Sequence, residues 1–191
     1  MYCVKTTQTI EDTIKKSRFI GIIIPCQTEK QALQHLSQLH QTHPNASHIV
    51  FAYRIKSPKG LVMKFHDAGE PSGTAGKPVY QHLEGKDLIN VLIVVIRYFG
   101  GIKLGAGGLT RAYGNTAKKV IEACVMTNYI DYAQIKLELE YRQMQHFEYQ
   151  LEKLGGMIMK QDFSEKICLQ VKIPEENLTV LVEQFKPVSK D

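Results

Sequence analysis

Residues 89–113 read INVLIVVIRYFGGIKLGAGGLTRAY, and the parsing of this stretch decides the fold. Ile89 to Ile96 is apolar apart from Asn90 and rich in β-branched residues, which describes a central strand covered on both faces. It leads without a break into Arg97-Tyr98-Phe99 and two glycine clusters, Gly100-Gly101 and Gly105-Ala106-Gly107-Gly108. From Leu109 to Met126 the period becomes helical. Leu109, Ala112, Tyr113, Ala117, Val120, Ile121, Cys124 and Val125 form an apolar stripe, with Arg111, Asn115, Lys118 and Lys119 opposite.

Upstream, Phe19 to Cys26 reads as a buried strand and Thr28 to Gln41 as a helix, with Thr28 as N-cap and Pro44 as stop. His48 to Lys56 and Leu61 to His66 are β segments joined by the turn Ser57-Pro58-Lys59-Gly60, and Asp67 to Pro78 has the composition of a loop. Downstream, Ala133, Ile135, Leu137, Leu139 and Tyr141 alternate with polar residues as in a half-buried antiparallel strand. A helix through Met144, Phe147, Leu151 and Leu154, strands at Met157 to Phe163 and Ile167 to Ile173, and a final helix after Pro174 complete a βαββα order. The expectation is an α+β protein of two domains, 1–131 and 132–191, the second a ferredoxin-like sandwich.

The chain has 191 residues, 43% of them hydrophobic and 23% charged, an ordinary globular composition that excludes collagen, coiled coil and wholesale disorder. Cys3, Cys26, Cys124 and Cys168 are scattered singly, with neither disulfide-framework nor metal-knuckle spacing. With no apolar run near the roughly 20 residues that span a bilayer, and no basic segment leading an apolar stretch at the start, the expected setting is cytoplasmic, without a membrane partner. Net charge is +5, unevenly spread: residues 1–131 hold 16 Lys/Arg against 9 Asp/Glu, and 132–191 hold 8 against 10. An anionic partner for the first part follows from this split.

The chemistry-bearing residues cluster in Asp67 to Pro78, DAGEPSGTAGKP, and in 97–113. Glycine loops let backbone amides approach an anion, and one of these loops empties into a helix start. Arg54, Lys77, Arg97, Lys103, Arg111 and Lys118 are the expected phosphate contacts, with Tyr98 as the partly exposed aromatic among them. Core packing explains Phe99 and Tyr113 as well or better. His48, Asp67, Glu70, Gly73, Thr74, Gly76, Gly100, Gly101, Gly105, Gly107 and Gly108 are expected to shape the site. Asp67 and Glu70 are also the acid–base candidates of an alternative reading, a hydrolase or transferase acting on a phosphorylated small molecule. A P-loop is excluded because Gly76-Lys77 is followed by Pro78, and no dinucleotide fingerprint is complete, so no cofactor is expected. No metal is expected either, since the histidines show no ligand spacing.

These motifs, with His48 and Phe51-Ala52-Tyr53-Arg54, resemble the IMPACT family in its bacterial, YigZ-like branch. One position departs: the family usually shows two aspartates before Gly-Glu-Pro, and the second is Ala68 here. The resemblance implies a first domain built on the βαβ fold shared by a small-subunit ribosomal protein and elongation factor G domain IV. It implies a second, ferredoxin-like domain similar to elongation factor G domain V. It also implies a translation-associated role with RNA or the ribosome as partner; the charge split and the glycine loops point to a non-enzymatic nucleic-acid binder, DNA being a further option, and oligomeric state stays open.

Overall fold

The aliphatic run after Asn90 becomes the middle strand of a five-stranded sheet. The structure, a computed structural model, describes residues 1–190 in two units, the first Met1–Tyr129 and the second beginning at Ile130. The first unit runs β1 (Tyr2–Val4), β2 (Gln8–Ile14), β3 (Ser17–Pro25), α1 (Glu29–Thr42), β4 (His48–Ser57), β5 (Gly60–His66), α2 (Gly76–Gly85), β6 (Val91–Tyr98), α3 (Gly105–Glu122) and β7 (Met126–Asn128). The main sheet has the order β2-β3-β6-β4-β5 with every pair antiparallel, and β1 pairs with β7 as a separate ribbon. Because β3 and β4 are both antiparallel to β6, they run parallel to each other, and β3-α1-β4 is a βαβ unit split by β6.

Strand alternation assigns each side chain of β6 to one of two cores. Val91, Ile93 and Val95 meet Phe19, Ile23 and Ala52 beneath Val79 and Leu83 of α2 and Leu109 and Tyr113 of α3. Leu92, Val94 and Ile96 meet Ile20, Ile22 and Ile49 beneath Ala32 and Leu36 of α1. All six β6 aliphatics are fully buried, and burial of each stabilises by roughly 1.5–3 kcal/mol. The same parity sends Arg97 toward α3 and Tyr98 toward α1. Thr28 caps α1, its hydroxyl accepting from the amide of Gln31 (3.2 Å).

Two boundaries differ from the sequence reading. α3 starts at Gly105 rather than Leu109, so Gly105, Gly107 and Gly108 lie in its first turn instead of a loop. The loop after β5 ends at Ala75, where α2 begins; Pro78 falls within the first turn of that helix, where the missing N–H costs nothing.

In the second unit, β8 (Tyr132–Leu139), α4 (Met144–Lys153), β9 (Met157–Phe163), β10 (Ile167–Pro174), α5 (Leu178–Gln184) and β11 (Pro187–Lys190) form an antiparallel sheet of order β11-β8-β10-β9. The anticipated βαββα order is present and a fourth strand follows it. Ile135, Leu137, Leu139, Leu169 and Val171 pack with Phe147 and Leu151 of α4 and Leu181 of α5. Among the described residues no helix is long and apolar enough to cross a membrane.

The glycines of the 97–108 stretch are not equivalent. A Cβ on Gly100 would stand 1.9 Å from the carbonyl oxygen of Lys16, whereas one on Gly107 would meet nothing within 4 Å. Gly100→Ala should therefore destabilise the chain by about 1–3 kcal/mol, and Gly107→Ala should be neutral or stabilise by up to about 1 kcal/mol. Urea titration of both variants measures the contrast.

Candidate functional site

The loop between β5 and α2 is closed from within. Asp67 accepts from the amides of Gly73 (2.9 Å), Ala75 (3.0 Å) and Gly76 (2.8 Å), so its carboxylate caps the start of α2. Partial burial alone would raise its pKa, but the three amides and nearby His66 together outweigh that and hold it below the usual aspartate value. Thr74 Oγ1 donates to the carbonyl of Pro71 (2.6 Å). Ala68, in the left-handed region at φ 51°, is clasped by two imidazoles: its amide donates to His66 Nδ1 (3.0 Å), and its carbonyl accepts from His48 Nδ1 (2.9 Å). Gly76 lacks the Cβ that would come within 2.8 Å of the backbone of His66.

Glu70 carries the loop into the core. Its Oε1 accepts from Arg97 Nη1 (2.6 Å) on β6 and from Tyr113 Oη (2.7 Å) on α3, and His48 Nε2 stands 3.7 Å away. Arg97 Nη2 donates to Ser17 Oγ (3.3 Å), which also accepts from the amide of Gly100 (3.2 Å). Burial first, and donation to Glu70 second, push the Tyr113 hydroxyl well above its ordinary pKa, so it stays a proton donor. Beside this cluster lies an open cleft of ≈ 320 Å³ lined by His48, Glu70, Arg97, Phe99, Lys103 and the first turn of α3.

Two of the expected phosphate contacts are internal. Arg97 is only 4% exposed and is held by Glu70 and Ser17, so it braces the cleft wall. Arg54 is buried as well; its Nη1 donates to the carbonyls of Leu83 and Leu88 (both 3.2 Å) at the end of α2, with Asp87 3.6 Å from Nη2. Parity explains both, because Arg54 and Arg97 continue the Val50–Ala52 and Val91–Ile93–Val95 rows that face α2 and α3. Lys77, Lys103 and Arg111 are exposed and enter no ion pair among the described residues, while Lys118 lies 3.8 Å from Glu122. Lys103 lines the cleft; Lys77 stands on α2, and Arg111 and Lys118 on α3.

Tyr98 is half-buried, its hydroxyl 2.8 Å from His43 Nδ1 and its ring under Arg18. Phe99, expected in the core, is 48% exposed, with the Arg97 guanidinium 5.4 Å from its ring centroid. Sequence reasoning overlooked Ser17, whose hydroxyl accepts from both Arg97 Nη2 and the Gly100 amide, and the adjacent Lys15-Lys16. Asp67 and Glu70, the acid–base candidates, are both committed to structural hydrogen bonds. Among the described residues no group of three His, Cys, Asp or Glu side chains is placed to hold a metal ion.

The segment that carries the split βαβ sheet, the carboxylate-capped loop and the glycine-rich helix entry matches a known family in sequence. The model of the Impact N-terminal domain matches residues 15–121. An IMPACT family member of Haemophilus influenzae is 36% identical over 175 residues, 91% of this chain and 85% of its own length. The IMPACT family member YigZ of Escherichia coli is 33% identical over 167 residues, 87% and 82% of the two chains. A crystal structure described as that of a hypothetical protein superposes with a TM-score of 0.70 at 30% identity, covering 96% of this chain and 89% of that one. The chain belongs to the IMPACT family.

The depressed Asp67 pKa sets a direction for acid stability. Its folded value lies below 3.8, so its stabilising contribution is complete at pH above that and is lost as pH falls through the folded value. Asp67→Asn should lower stability at neutral pH, and its stability should fall less than that of the parent between neutral pH and about pH 3. Thermal melts across that range give the comparison.

Proposed function

We propose that the chain is a non-enzymatic, cytoplasmic, translation-associated protein that binds RNA or the ribosome through the glycine-rich end of its first unit. The observation that carries this reading is the juxtaposition of exposed Phe99 and exposed Lys103 at a cleft in the basic part of the chain. An aromatic face beside an unpaired ammonium suits a base and its phosphate together. Lys77 and Arg111, exposed on α2 and α3, widen the basic surface available to a polyanion. The translation link rests on the role that family resemblance implies. Within the same proposal, the split βαβ unit corresponds to the ribosomal-protein and elongation factor G domain IV type of fold over 1–131. The β11-β8-β10-β9 order, with helices between strands, corresponds to a ferredoxin-like domain over 132–191.

Co-sedimentation with ribosomes at two salt concentrations tests the reading. The parent chain should bind at low salt. A Lys77→Ala, Lys103→Ala, Arg111→Ala variant, which leaves the buried arginines intact, should bind more weakly and with a salt slope shallower by about 2–3 units. Absence of binding at low salt, or binding unchanged in the variant, would overturn it.

A further inference from the structure

We infer that the cleft beside Phe99 takes an unpaired RNA segment, one base stacking on the Phe99 ring while flanking phosphates meet Lys103 and a lysine turn at residues 15 and 16. The inference rests on the nucleic-acid reading above and narrows it from any polyanion to a single strand.

The turn supplies the first observation. Ile14 pairs with Ser17 across β2 and β3, so the hairpin loop is Lys15-Lys16 alone, at φ 45° and 65°. A two-residue hairpin with both φ positive favours Asn-Gly, because a Cβ in the left-handed region crowds the following carbonyl. Two lysines occupy these positions instead, both exposed and outside every ion pair among the described residues. Local stability does not select lysine here, whereas the binding of an anion does.

The second observation is where that turn is fastened. The Lys16 carbonyl lies against Gly100 so closely that no Cβ fits, and Ser17 Oγ accepts from the Gly100 amide. The lysine turn is thus fixed against the residue that follows Phe99, at the same end of the sheet as Lys103. Phe99 is itself held in place, since its amide donates to Ser47 Oγ (3.0 Å) and Arg97 lies by its ring. A half-exposed, positioned aromatic with Lys103 on the same cleft and an exposed lysine turn fastened to the neighbouring Gly100 matches a strand whose bases are free to stack. A duplex keeps its bases inside and would engage the lysines while leaving Phe99 unused.

Fluorescence anisotropy with a short labelled RNA, single-stranded or annealed to its complement, tests this on the full chain. The single strand should bind more tightly. Phe99→Ala should weaken single-strand binding about tenfold with an unchanged salt slope, and should leave duplex binding within about twofold. A Lys15→Asn, Lys16→Gly variant should melt at a higher temperature, because it relaxes the turn, yet bind the single strand more weakly with a slope shallower by about 1–1.5 units. Equal binding of single strand and duplex with no effect of Phe99→Ala would overturn the inference and leave the broader reading to its own ribosome test. A stabilised turn variant with unchanged RNA affinity would overturn the role of the lysines. No binding of the short RNA at low salt would overturn this inference, while retained co-sedimentation with ribosomes would keep the broader reading standing.

Discussion

The Oε1 atom of Glu70 accepts from a guanidinium on the central strand and a phenol on the long helix, and the loop that carries it is closed by Asp67. Sheet, helix and loop therefore meet at one buried carboxylate. A pair of this kind gains little over an apolar replacement of both partners, but loss of one partner leaves an uncompensated charge in the core and costs about 3–5 kcal/mol. The energetics favour retention of both members or neither. The cleft wall, the backbone of Gly100 and the placement of Phe99 all follow from Arg97 being held there, since Ser17 ties the same arginine to the Gly100 amide.

That constraint changes the meaning of the charge distribution. The excess of Lys and Arg in residues 1–131 suggests a broad cationic surface, yet Arg54 and Arg97 are internal struts. Lys119 pairs with Asp12, and Arg18 with Glu11 in a two-bond contact of 2.7 and 2.8 Å. The cations that remain outward and outside every ion pair among the described residues include Lys15, Lys16, Lys77, Lys103 and Arg111, and also Lys5, Lys30, Lys59, Lys64 and Lys86. Lys15, Lys16 and Lys103 are the ones at the end of the sheet where Phe99 is exposed. In the function proposed above, the lysines beside Phe99 steer a polyanion toward that end of the sheet and stacking supplies the discrimination.

Much of the fold was legible because it is written in periods. The unbroken aliphatic run predicts a strand covered on both sides, and the alternation from Ala133 to Leu139 predicts a strand with one wet face; both are found. α2 escaped notice because Gly76 and Pro78 open it, residues whose composition signals a loop even though the first helical turn tolerates them. The site was less legible. Arginine in a glycine-rich, basic segment suggests phosphate, and only the period-two row Val91–Ile93–Val95–Arg97 carried the opposite signal, that the guanidinium faces the core. Phe99 reversed in the other direction, since β6 ends at Tyr98 and alternation no longer governs the next residue. Lys15-Lys16 carried no sequence signal at all, because their left-handed conformation is imposed by the register of β2 on β3.

Arg97 is a structural partner of Glu70, and a double-mutant cycle in urea measures this directly. Glu70→Gln and Arg97→Met should each lose about 3–5 kcal/mol, while the double variant should lose far less than the sum, giving a coupling of more than about 1 kcal/mol. Losses that add to within about 0.5 kcal/mol would show that the two side chains act independently and would contradict the account.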